Sequence, residues 1–232
     1  MVMEKDLRKL EKLLGMKFKN QDILRMALTH RSYLNEHPDC GVEHNERLEF
    51  LGDAVLELVV TEHLYNNYPN QEGELTNWRA SLVNSKMLAH IAKEIGLEDF
   101  LFLSRGESKD KGKARQYILA NTFESVTGAI YMDSGWEPAK QFISQYLLPE
   151  LPIILEQKLY VDPKSYFQEK AQEEIGTTPS YKVEEEFGPD HAKTFVVGVY
   201  LKKELIATGK GLSKQEAEEH AARAGLHAKG WL

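Results

Sequence analysis

The stretch 44-HNERLEFLGDAVLELVV-60 carries most of the information in this chain. At about 100° per residue, Glu46, Glu49, Asp53 and Glu57 fall within an arc of roughly 80° on one helix, and Leu48, Leu51, Val55 and Val59 take the opposite side. Carboxylates stacked at i, i+3 and i+7 repel one another, so the arrangement loses stability unless a cation neutralises it. Two explanations stay open: a solvated acidic face, and a platform of hard oxygen donors for Mg²⁺. Phe50 lies about 40° from Glu46, where a solvated face does not place a large apolar ring. An exposed Phe beside acids marks a partner surface, and the simplest partner is a second copy of the chain.

A second acidic stretch is 117-YILANTFESVTGAIYMD-133. Asn121 and Glu124 stand at i and i+3 on a helix that is otherwise largely apolar, with Ile118, Phe123, Val126 and Ile130 around them. A polar pair in such surroundings needs partners to offset desolvation; a metal shared with the first helix would supply them, and a plain surface Glu with a capping Asn is the simpler alternative. Between the two stretches, 104-SRGESKDKGKAR-115 holds five basic and two acidic residues and two glycines. It reads equally as a phosphate-contacting loop and as a solvated connector. Gly106 to Gly112 is one residue too long for a Walker A spacing, and Ala114 stands where Ser or Thr is required, so no nucleotide cofactor is expected.

Around these stretches the apolar residues recur at helical spacing (Leu10, Leu13, Leu14; Leu24, Met26, Ala27; Leu48, Leu51, Val55, Leu58, Val59), which predicts a helical bundle. The pattern changes at Asp162-Pro163, an N-cap followed by proline at the first helical position. Beyond it the period becomes 2, through Tyr181 to Phe187, Phe195 to Leu201 and Leu205 to Thr208, with turns at Gly188-Pro189-Asp190 and Lys202-Lys203. Ser213 and Glu216 then form a capping box ahead of a last helix. The expected organisation is an all-α domain over 1–156, a linker over 157–162 and a small α-β-β-β-α domain over 163–232.

Composition sets outer limits. The chain has 232 residues, 42% hydrophobic and 28% charged, which rules out collagen-like and low-complexity classes, and its net charge of −7 argues against broad electrostatic adhesion to nucleic acid. Basic and acidic residues number 19 and 24 over 1–161 and 10 and 12 over 162–232, so neither part is basic as a whole. Cys40 is the one cysteine, which excludes an intramolecular disulfide and Cys₄ or Cys₂His₂ zinc sites. His30 and His44 form no ligand cluster and read as structural. No apolar run reaches the roughly 18 residues of a membrane span, and no secretory signal opens the chain, so a cytoplasmic protein without membrane contact is expected.

Taken together, 45-NERLEFLGDAVL-56, 27-ALTHRSY-33 and the segment Ile118 to Asp133 resemble the signature motifs of bacterial ribonuclease III, and the α-β-β-β-α tail ending in 209-GKGLSK-214 resembles a double-stranded-RNA-binding domain. The resemblance implies a homodimeric, Mg²⁺-dependent endonuclease, with Mn²⁺ as a substitute ion, that cuts both strands of an RNA duplex. The products would carry 5′-phosphates and short 3′ overhangs, and the substrates would be precursors of ribosomal, transfer and messenger RNA. It implies Glu49, Asp53, Asn121 and Glu124 as metal ligands, with Asp53 and Glu124 as catalytic residues. Glu46 and Glu72 would support the RNA-binding valley or the dimer, and Phe50 would insert into the second subunit. In the tail, Gln168, Glu169 and Gln172 would meet 2′-hydroxyls, Pro189, Asp190 and His191 would enter the next minor groove, and Lys210, Ser213 and Lys214 would hold phosphates. The chain departs from the family pattern at Asn121, where an Asp is usual; the amide keeps a ligand oxygen and loses a charge, which lowers affinity for a hard cation. Asn121 leaves open a catalytically impaired RNA-binding homologue beside the working nuclease, and a phosphohydrolase of small molecules is a third reading, disfavoured by the RNA-binding tail.

Overall fold

The computed structural model describes residues 5–189 and 193–232. It divides into two compact units, Met1–Gln157 and Lys158–Leu232.

The first unit is helical: α1 (Leu7–Leu14), α2 (Gln21–Ala27), α3 (Arg31–Glu36), α4 (Glu46–Asn67), α5 (Glu72–Leu82), α6 (Ser85–Ile95), α7 (Lys113–Ser134), α8 (Trp136–Tyr146) and α9 (Glu150–Glu156), with single 3₁₀ turns at Leu97–Phe100 and Glu107–Lys109. Side chains of Asp6, Asn20 and Asn84 accept backbone N–H bonds at the starts of α1, α2 and α6, as short polar residues at N-caps do. Helix α7 forms the centre, packed against α2, α4, α6 and α8. From Ile118 to Ile130 only Asn121 and Glu124 escape full burial. Its buried hydroxyls are satisfied: Thr122 donates to the Ile118 carbonyl at 2.6 Å, Thr127 to Phe123 at 2.9 Å and Ser125 to Ala27 at 2.7 Å.

Helices α4 and α7 cross backbone to backbone. A Cβ added at Gly52 would lie 1.8 Å from the carbonyl oxygen of Glu124, and one at Gly128 would lie 2.2 Å from that of Leu48. No other residue fits at either position without moving a helix.

Two expectations need correction. Leu13 and Leu58, counted among the apolar residues of the bundle pattern, are 46% and 57% exposed; the apolar stripe on each helix is wider than the face the neighbouring helices cover. The basic stretch 104–115 is also less loop-like than its charge suggests, because it folds through the 3₁₀ turn and gives its last three residues to α7.

In the second unit, α10 (Pro163–Ile175) is followed by the antiparallel strands β1 (Ser180–Phe187), β2 (Thr194–Leu201) and β3 (Glu204–Gly211) in spatial order 1-2-3, and by α11 (Lys214–Lys229). Asp162 caps α10, accepting from Ser165 N at 2.8 Å, with Pro163 in the first turn. The core is Phe167, Ala171, Val199, Leu201, Ala221, Ala222 and Leu226. Ser213 caps α11, accepting from Glu216 N at 3.2 Å, while the Glu216 carboxylate accepts from Leu212 N at 2.8 Å. Among the described residues, no helix is long and apolar enough to cross a membrane.

Candidate active site

The Gly52–Gly128 contact decides which side chains meet. Asp53 follows Gly52 directly, Glu49 is one turn earlier on α4, and Asn121 and Glu124 lie on the two turns of α7 before Gly128. The electrostatics record the convergence. Burial pushes the Glu124 carboxyl up to about 8, and the charges of Asp53 and then Glu49 add to that rise. Burial also raises Glu49, as do the charges of Glu46 and Asp53, while a hydrogen bond from the Asn121 amide opposes the shift. Asp53 is raised by burial first and by Glu57 second. Acids from two helices therefore share one partly desolvated space and destabilise each other's ionised forms.

Three carboxylates and one amide oxygen are the hard donors that Mg²⁺ and Mn²⁺ prefer, and their mutual repulsion is what a divalent cation would relieve, so the donor set fits such an ion. The side chains are not drawn into a cage: among the described residues, no three His, Cys, Asp or Glu side chains stand close enough to hold a metal.

The other anticipated positions distribute as follows. Glu46 opens α4 and pairs with Arg31 at 3.6 Å and with His44 at 3.8 Å. Glu72 is exposed at the first residue of α5, on neither of the two crossing helices. Phe50 is 81% exposed. Leu58 and Tyr65, which the sequence did not single out as surface residues, are also exposed on α4, and at about 100° per residue they lie within roughly 80° of Phe50. Their spacing of 8 and 15 residues from Phe50 was the available signal. In the second unit, Gln168, Glu169 and Gln172 are exposed on α10 and line a shallow groove with Ser165 and Glu173. Lys210 lies on β3, Ser213 is the N-cap of α11, and Lys214 is its first residue, with Nζ 5.7 Å from the centre of the Phe195 ring. His191 and Asp190 fall outside the described residues.

A helical scaffold that gathers carboxylates at a helix crossing, joined in the chain to an α-β-β-β-α module with an exposed polar first helix, is the arrangement expected of a nuclease of structured RNA. Comparison with known proteins agrees. Residues 20–151 match the Ribonuclease-III-like family and residues 163–228 the double-stranded RNA binding motif. The chain is 47% identical over 225 residues to Ribonuclease 3 of Carboxydothermus hydrogenoformans, covering 96% of this chain and 95% of that one. It is 44% identical over 216 residues to Ribonuclease 3 of Borreliella burgdorferi, covering 93% and 88%. The nuclease domain of ribonuclease III from Campylobacter jejuni superposes with a TM-score of 0.57 at 40% identity, covering 63% of this chain and 99% of that one. The chain belongs to the ribonuclease III family and is an endoribonuclease of that type, with a double-stranded-RNA-binding domain.

Proposed function

We propose that this endoribonuclease is a Mg²⁺-dependent homodimer that cuts both strands of an RNA duplex, leaving 5′-phosphates and short 3′ overhangs, and that it processes ribosomal, transfer and messenger RNA precursors in the cytoplasm. The observation that carries the reading is the convergence of Glu49, Asp53 and Glu124 from two helices, close enough for Asp53 and Glu49 to raise Glu124. Glu49, Asp53, Asn121 and Glu124 would hold the ion, with Asp53 and Glu124 the catalytic pair. When bound, Mg²⁺ supplies an activated water, neutralises charge developing on the phosphate and stabilises the leaving oxygen. The protein's part is placement. The helix crossing carries the carboxylates on rigid elements, and the partial burial of Glu49 and Glu124 reduces the water that would otherwise screen them.

The exposed side chains of Phe50, Leu58 and Tyr65 support a second copy docked on α4, since three large apolar side chains open to solvent along one helix are unusual on a monomer surface. In the tail, Gln168, Glu169 and Gln172 would meet 2′-hydroxyls across the shallow groove, and Lys210, Ser213 and Lys214 would hold phosphates where β3 ends and α11 begins. Asn121 favours a second reading, an RNA-binding homologue with impaired cleavage, because one charge is lost from the ligand set.

Incubation of the full chain with a long RNA duplex, with and without Mg²⁺, separates the readings. Short duplexes bearing 5′-phosphates, formed only with Mg²⁺, are the expected outcome. Binding without cutting at any Mg²⁺ concentration selects the impaired homologue, and neither binding nor cutting removes duplex RNA as the substrate.

A further inference from the structure

RNA approaching a row of carboxylates is repelled, so a cation is needed where the backbone passes the acidic cluster. The start of α4 offers one. Arg31, the first residue of α3, places Nη1 3.6 Å from Glu46 Oε1, and its side chain is 71% exposed. On the other carboxylate oxygen, His44 Nδ1 lies 3.8 Å from Glu46 Oε2, beyond hydrogen-bond range, and this nitrogen is shielded from solvent without a hydrogen-bond partner. Backbone contacts fix the segments that carry the two side chains. His30 caps α3, its own N–H donates to the Phe102 carbonyl at 3.1 Å, and Asn45 N donates to the Thr29 carbonyl at 2.9 Å, which ties the start of α4 to the start of α3. Glu46 is one turn from Glu49, near enough for its charge to act there.

Folding does not account for this arrangement. An exposed pair at 3.6 Å adds little stability, and at that distance, beyond hydrogen-bond range, none of the five guanidinium donors is committed to Glu46. Its planar fork matches the oxygens of a phosphate.

We propose that Arg31, with His44 beside it, contacts the RNA phosphates next to the carboxylate cluster, and that Glu46 is a positioning residue that acts through these two side chains. The proposal rests on the reading that duplex RNA is cut at the α4–α7 carboxylates. It assigns Glu46 a role with a definite sign. A carboxylate that merely faces RNA repels it, so neutralising Glu46 would tighten binding; a carboxylate that holds Arg31 and His44 in place would, when neutralised, loosen it.

The test is equilibrium binding of an RNA duplex to the full chain without Mg²⁺, titrated with KCl, for the parent and for Arg31→Ala, Arg31→Lys, His44→Gln and Glu46→Gln. Arg31→Ala should weaken binding about tenfold and make the slope of log K against log salt shallower by about one unit per subunit. Arg31→Lys should restore the slope and only part of the affinity, since Lys is a point charge. Glu46→Gln should weaken binding severalfold while thermal unfolding stays at the parent's temperature. Parent-like affinity and slope in Arg31→Ala, or tighter binding by Glu46→Gln, overturns the proposal. Should Arg31→Ala lose its helical circular dichroism, Arg31→Lys and Glu46→Gln decide the matter in the same way. A parent chain that binds the duplex but never cuts it with Mg²⁺ present defeats the cleavage reading instead, which the binding titration leaves untouched.

Discussion

Glu124 is pushed up to about 8 in the folded chain, well above the usual carboxylate range, by its partial burial and by the charges of Asp53 and Glu49. Unfolded, it titrates at an ordinary value, so between the two the folded chain keeps a proton that the unfolded chain has released. That contribution to stability is fully present below the unfolded pKa and is lost as pH rises through the folded one. In EDTA, the melting temperature should therefore fall from about pH 5 to about pH 8, and Glu124→Gln should flatten this part of the profile while abolishing cleavage. A slope unchanged in Glu124→Gln would mean that the carboxylates do not interact as the fold places them. Asn121 is the neighbouring test. Restoring a carboxylate with Asn121→Asp should strengthen divalent-ion binding, read by calorimetry, and raise the cleavage rate at low Mg²⁺; no change in either would remove Asn121 from the ligand set.

Among the elements, the α4–α7 crossing governs the site. Gly52→Ala would drive a methyl group into the Glu124 carbonyl, 1.8 Å from the ideal Cβ position. Overpacking of this kind typically costs about 1–3 kcal/mol, or roughly 2–4 °C of melting temperature per kcal/mol in a chain of this size. Cleavage should fall further than stability, because the same displacement separates Asp53 from Glu124. Gly73, in the first turn of α5, has open space around its Cβ position, and Gly73→Ala should lose neither stability nor activity. Equal melting temperatures for Gly52→Ala and Gly73→Ala would show that the crossing can relax.

Across the whole molecule, the net charge of −7 opposes RNA, and on the proposed reading binding would come from local groups: Lys210 and Lys214 in the tail, and Arg31 beside the acids. In the proposed homodimer, assembly would use α4, where Phe50, Leu58 and Tyr65 are exposed. A central aromatic anchor of this kind typically contributes about 2 kcal/mol or more, so Phe50→Ala should raise the dimer dissociation constant roughly 30-fold. Sedimentation velocity reads this directly, and an unchanged dimer would move the interface off α4.

Local information was legible in the chain. The shift from helical to alternating period, the Asp162-Pro163 and Ser213 caps and the row of acids from Glu46 to Glu57 depend on residues within a turn or two of one another, and the structure repeats them. Phe50 was legible for the same reason, as a ring on the wrong side of its own helical wheel. The partnership of α4 with α7 was not. Glu49 and Asp53 meet Glu124 only because two glycines far apart in the chain allow two backbones to touch, and no periodicity encodes which helix packs against which. Leu58 and Leu13 illustrate the same limit: apolar character is a property of the residue, whereas burial depends on which neighbours arrive to cover it. Arg31 comes beside Glu46 through neighbouring backbone bonds, Asn45 N to the Thr29 carbonyl and His30 N to the Phe102 carbonyl, contacts that exist only after the chain has folded back on itself.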